Sequence, residues 1–107
     1  MKFGFDISSI EGFDWDKGNS EKNWLKHKVR KEECEEVFFN KPLRIFDDQV
    51  YSKTEKRFGA LGRTDKGRLL AVIFTVRSRM IRVISARDQG NRDRRVYALI
   101  EQEHHLS

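Results

Sequence analysis

Two hydrophobic periods divide the chain. Up to about residue 42 apolar side chains recur at helical spacing, and beyond it they alternate or run together as in strands. Gly12 to Asp16 sets Phe13 and Trp15 against Asp14 and Asp16 and predicts a short opening strand. Residues 18–28 predict a first helix, with Asn19 or Ser20 as its N-cap and Trp24 and Leu25 as its apolar side. Lys31 to Phe39 places Cys34, Val37 and Phe38 at i, i+3 and i+4. That spacing predicts a second short amphipathic helix, ended by Asn40 and Pro42.

The second half changes to strand period. Leu43 to Phe46 is a short candidate strand, and Asp47 to Thr54 is polar enough for a loop. Arg57 to Gly62, Arg68 to Val76 and Met80 to Arg87 form a meander, with turns at Thr64–Gly67 and Arg77–Arg79. Alternation in the last of these puts Ile81, Val83 and Ser85 on one face and Arg82, Ile84 and Ala86 on the other. A terminal helix over roughly 91–103 follows, capped by Asp88, with Val96, Leu99 and Ile100 as its apolar stripe and Arg92, Arg94 and Arg95 outside. The order predicts an α+β domain: two N-terminal helices packed on a small antiparallel sheet of about four strands, then a C-terminal helix. One sheet face lies under helices and the other stays open, with arginines at its rim.

A chain of 107 residues has room for one domain, 1–107, and not for a large cofactor cleft between lobes. Residues 1–12 add either an extra edge strand or an arm, and residues 104–107, with His104 and His105, read as a frayed tail. No run approaches the length of a membrane span and the first residues lack an apolar signal core, which points to the cytoplasm. A single cysteine, Cys34, forms no internal disulfide, and with three histidines the chain lacks a zinc-finger cluster, so no metal is expected. Gly59, Gly62 and Gly67 lack the Lys-Ser/Thr of a P-loop and the setting of a dinucleotide site, so no cofactor is implied.

The net charge of +5 is unevenly spread. Residues 1–54 carry 10 basic and 11 acidic side chains, whereas residues 55–107 carry 12 basic, ten of them Arg, and 6 acidic. The second half is therefore a permanent cation suited to phosphate. Its partner is a nucleic acid or an acidic protein face.

Arg57, Arg63, Arg68, Arg77, Arg79, Arg82 and Arg87 fall at strand ends, in turns or on one strand face. Such a cluster signals either an anion held between them or ion pairs with Glu55, Asp65, Asp88 and Asp93. Cutting RNA without metal needs a base for the 2′-hydroxyl, cations for the phosphorane and an acid for the leaving 5′-oxygen. His27 and Glu55 are the candidate acid and base, Arg63, Arg82 and Arg87 the stabilisers, and Tyr97 a phosphate or proton contact. Each has a plainer reading: His27 as a helix C-terminal histidine, Glu55 as a partner of Arg57 or Lys56, Tyr97 as a half-buried helix residue. Trp15, Trp24 and the Cys34 thiol read as core.

The ordered segments Phe13-Asp14-Trp15-Asp16, Asn23-Trp24-Leu25-Lys26-His27, Glu36-Val37-Phe38, Arg57 to Arg63, Gly67-Arg68-Leu69-Leu70, Ile84-Ser85-Ala86-Arg87 and Asp93 to Tyr97 together resemble the BrnT family of toxins over about residues 13–97. The resemblance implies a RelE-like ribonuclease toxin of a type II toxin–antitoxin pair that arrests growth by cutting RNA. It implies a BrnA-like antitoxin of ribbon-helix-helix type, a 2:2 complex, and contact with operator DNA only through that complex. Carried over by motif position, Arg63, Arg68, Arg82, Arg87 and His27, followed by Tyr97, are its functional residues, with Glu55 added from the chemistry above. Arg57, Arg68, Arg77, Arg79 and Tyr97 complete the RNA-binding set. The chain departs from the family pattern at Lys28, where glycine is usual, and at Arg30, where a capping serine is usual. The turn between the helices is thus expected to lose its left-handed residue and its cap.

Overall fold

In the computed structural model, residues 7–48 and 55–106 are described. Residues 1–6, most of the expected 47–54 loop and Ser107 lie outside them. After a 3-10 turn at Ile7–Ser9 come β1 (Gly12–Phe13), α1 (Lys17–His27), α2 (Lys31–Phe39), β2 (Arg44–Asp47), β3 (Arg57–Arg63), β4 (Leu69–Arg77), β5 (Met80–Asp88) and α3 (Asn91–Leu106). The helix α3 thus extends to Leu106, within the stretch 104–107 expected to fray.

Asp16, not Asn19 or Ser20, starts α1. Its carboxylate accepts the Asn19 N–H at 2.9 Å, and Asn19 Oδ1 accepts the Asp16 N–H at 2.8 Å. The inner side of this helix is polar, since Asn19 and Asn23 are buried while Trp24 and Leu25 are 46% and 71% exposed. The reason lies in β5. Its outer edge is paired only as far as the two residues of β1, and α1 lies along the remainder. There Asn19 Nδ2 donates to Val83 O at 3.1 Å and Asn23 Oδ1 accepts the Ala86 N–H at 2.9 Å. The two amides replace a missing strand and satisfy backbone groups that an apolar helix face would leave unpaired.

Lys28 keeps the left-handed conformation, φ 55°, that the sequence was expected to lose. A Lys28→Gly substitution is therefore expected to stabilise the fold by about 0.5–1 kcal/mol, read from the urea midpoint at unchanged slope. An unchanged or lowered midpoint would show that the lysine is held without strain. At the start of α2 no side chain of Arg30 caps, but Glu33 Oε1 accepts the Arg30 N–H at 3.0 Å.

The sheet has five strands in the order β1-β5-β4-β3-β2. Its core is the expected antiparallel meander, but β1 joins β5 in parallel. On the first face Val29, Cys34 and Val37 pack with Phe58, Ala60, Leu70, Val72, Phe74, Ile81, Val83 and Ala86. Glycine at 62 lets α2 approach, because a Cβ there would lie 2.7 Å from Val37 Cγ1.

The pairing of Ile73 with Ser85 and of Phe74 with Val83 leaves Ile84 as a bulge. The strict alternation expected of β5 is broken there. Ala86 joins Ile81 and Val83 in the core, and Arg87 turns to the face that carries Arg82. The second face is half covered rather than open, because α3 packs Val96 and Tyr97 on Leu61, Leu69 and Ala71. Leu99, expected inside, is 62% exposed. Asp88 does not cap α3; Gly90 O accepts the first helical N–H, from Arg94.

Candidate nucleic-acid interface

Strand register lays out the second face as rows. Arg57, Thr75 and Arg82 form one; Phe46, Gly59, Ile73 and Ser85 the next; Arg44, Leu61, Ala71 and Arg87 the third, with Arg63 beyond on β3. The middle of the third row, Leu61 and Ala71, lies under α3, while Arg44 and Arg87 at its ends are exposed. Between this row and the first is an uncharged, partly exposed floor made by Phe46, Ile73 and Ser85. Arg82 and Arg87 stand at two ends of this floor, separated along the strand by about 13 Å.

Ion pairs hold these arginines in the free protein. Arg82 Nη2 lies 2.6 Å from Asp16 and Arg82 Nη1 3.5 Å from Asp14; Arg77 Nε lies 2.6 Å from Glu55, and Arg79 Nη1 3.3 Å from Glu11. The pairs of Arg63 with Glu101, at 3.8 Å, and of Arg87 with Asp93, at 3.7 Å, are longer, and both arginine side chains are about half exposed. Exposed pairs of this kind contribute about 0–1 kcal/mol, so a phosphate can exchange for the carboxylate at little cost.

Arg63 and Arg87 do not converge on one phosphate. Asp93, Tyr97 and Glu101 recur every four residues along one side of α3, so the helix sits between the two arginines with its carboxylates about 12 Å apart. Tyr97 is fully buried between them and donates to Pro42 O at 2.7 Å. Burial, with Glu101 nearby, pushes its phenol up to about 12. The expected contact of Tyr97 with RNA is therefore replaced by a packing role.

Arg68 is also placed elsewhere. Its Nε and Nη2 donate to Asp88 at 2.7 and 3.3 Å, Nη1 donates to Lys28 O at 2.8 Å and to Glu33 at 3.2 Å, and Nη2 donates to His27 O at 3.2 Å. All five N–H groups have acceptors within the fold, and the side chain closes the C-terminus of α1 where glycine and serine are missing.

Glu55 is gripped by two bonds from Arg77, which hold its carboxyl below its ordinary range. It stands at the far end of β4 from Arg63, and a carboxyl so held is a poor proton carrier near neutral pH. His27 is partly buried at the end of α1, close enough to Asp88 to help hold that carboxyl low, after the larger effect of the Arg68 guanidinium. It lies at the Arg87 end of β5. Cys34 is buried and its thiol is pushed up to about 12, which makes it inert. Of the ion pairs expected with Glu55, Asp65, Asp88 and Asp93, three form; Asp65 instead accepts from Asn40 Nδ2 at 3.0 Å.

Sequence reasoning missed Arg44 and Phe46 on this face and the carboxylates of Glu11, Asp14, Asp16 and Glu101. Only the alternation of β2, with Ile45 inward, offered a signal for the first two.

A family model described as "Ribonuclease toxin, BrnT, of type II toxin-antitoxin system" matches residues 15–93. Among solved structures the chain is similar to the 1.1 Å crystal structure of the Brucella abortus ribonuclease toxin BrnT, at 25% identity and a TM-score of 0.55, over 75% of this chain and 97% of that one. No curated protein matches significantly.

Proposed function

The chain belongs to the BrnT family of ribonuclease toxins of type II toxin–antitoxin systems, and from that membership we propose that it is a metal-independent endoribonuclease that arrests growth. The observation that carries this reading is the open half of the second sheet face, where Arg57, Arg82 and Arg87 border the uncharged floor and Arg77 lies one row further along β4. In the proposed reaction the 2′-hydroxyl loses its proton, its oxygen bonds to the adjacent phosphorus, and the bond from phosphorus to the 5′-oxygen breaks as that oxygen takes a proton. The products are a 2′,3′-cyclic phosphate and a 5′-hydroxyl. Unlike Arg63 and Arg87, Arg82 and Arg87 have no helix between them, so in the proposed complex both side chains swing from their carboxylates over the open floor to stabilise one phosphorane, with permanent charge that needs no metal to supply it. His27, beside the Arg87 end, carries a proton; Glu55, held as a carboxylate by Arg77, is the weaker candidate. Arg57, Arg77 and Arg79 guide the flanking phosphates.

A toxin of such a system has an antitoxin partner. The proposed one is a BrnA-like ribbon-helix-helix protein that covers the basic face in a 2:2 complex and alone touches operator DNA, in the cytoplasm. Among the described residues no helix is long and apolar enough to cross a membrane.

The ion pairs favour a second reading, a non-catalytic module that docks RNA or an antitoxin. Induction without antitoxin, together with RNA binding by the purified chain, tests the first. Growth should halt with loss of intact RNA. Affinity should fall with salt at a slope of roughly −0.7 per phosphate, about −3 if Arg57, Arg77, Arg82 and Arg87 each take one. Normal growth at confirmed expression, with RNA bound but uncut, would establish the docking module instead.

A further inference from the structure

The floor of the open face has a feature that phosphate chemistry does not use. Phe46, on the edge strand β2, pairs with Gly59 of β3 and points to the second face. Its ring lies across Gly59: a Cβ there would run into Cζ and Cε2 of the phenyl group. Glycine in a strand interior weakens the strand, and here it creates the space in which an aromatic ring lies against the sheet. The residue also packs against the cluster of Leu61, Ala71 and Tyr97, yet it is only partly buried. The ring thus combines a fixed position with an accessible surface. Arg57 flanks Gly59 two residues before it on β3, on the same face, and Arg44 lies two residues before Phe46 on β2.

An aromatic surface bordered by guanidinium groups suits a nucleotide whose phosphate meets the arginines and whose base lies on the ring. A double helix hides the faces of its bases within the stack, so a platform of this kind engages only single strands. We propose that Phe46 is a base-stacking platform that selects single-stranded RNA on the arginine-bordered face, an inference that rests on the ribonuclease reading above.

Fluorescence titration of the full chain with a single-stranded RNA carrying 2-aminopurine, and with the same strand in a duplex, tests this. The wild-type protein is expected to alter the probe emission by stacking and to bind the single strand more tightly than the duplex. Phe46→Leu should lose the emission change and roughly tenfold to a hundredfold in affinity, whereas Phe46→Tyr should keep both. Gly59→Ala, which forces the ring off its seat, should behave like Phe46→Leu; melting curves identify any variant that fails to fold, and the wild-type comparison of single strand with duplex stands without one. Equal affinity for both forms, or full binding by folded Phe46→Leu, would overturn the platform while leaving the ribonuclease reading intact. Absence of salt-dependent binding to any RNA by the wild-type chain would overturn both.

Discussion

Arg82→Ala and Arg87→Ala are each expected to cut RNA about 10²–10³ times more slowly than the parent chain, a loss of roughly 2.7–4 kcal/mol in transition-state stabilisation. Ground-state affinity should fall far less, because the phosphorane carries more charge than the phosphate that precedes it. Both side chains border the open floor and are held at its edge: Arg82 by the carboxylates of Asp14 and Asp16, Arg87 by the carboxylate of Asp93 and by a 3.1 Å bond from Nη1 to Asp88 O. Arg63 differs. Its guanidinium lies beside Glu101 at the far end of the α3 stripe, across the buried Tyr97, so Arg63→Ala should cost less than about tenfold. Single-turnover cleavage rates measured beside RNA affinity separate the cases. Parallel losses in rate and affinity at Arg82 and Arg87 would make them docking residues, and a loss at Arg63 equal to theirs would show that α3 leaves the sheet when RNA binds.

Arg68→Ala is expected to damage the fold rather than the chemistry. Removing this side chain strips partners from Glu33, from Asp88 and from two carbonyls at the end of α1. Leaving those acceptors unsatisfied should destabilise the protein by about 2–3 kcal/mol, equivalent to roughly 10–20 °C in melting temperature for a domain of this size. Arg68→Lys should recover little of it, since a compact ammonium cannot supply the planar fork that reaches two carboxylates and two carbonyls at once. If Arg68 gripped RNA instead, melting would be unchanged and affinity would fall.

The two predictions mark what was legible in the chain and what was not. Helical spacing in Cys34, Val37 and Phe38 and the strand runs after Arg57 placed α2 and the meander to within a residue or two, because burial of an apolar face dictates those periods directly. The uneven arginine content likewise located the basic half. Where polar groups do the packing, pattern fails: the inner side of α1 is Asn19 and Asn23, residues that look like surface until an unpaired strand edge stands beside them. Tyr97 and Arg68 were misplaced for the same reason, since a phenol or a guanidinium becomes structural only when acceptors distant in sequence, such as Pro42 O or Glu33, are brought to it.

By itself the sequence determined the fold class, the antiparallel meander, the basic character of one half and the resemblance that names the family. Each of these depends on residue type and local spacing. Tertiary structure alone decided which arginines share a face. One bulge at Ile84 turns Arg87 to the face of Arg82, and α3 comes to rest between Arg87 and Arg63. Both follow from long-range register and packing: a single extra residue in a strand reverses every side chain beyond it, and no pattern within β5 announces where its partner strand will require that residue.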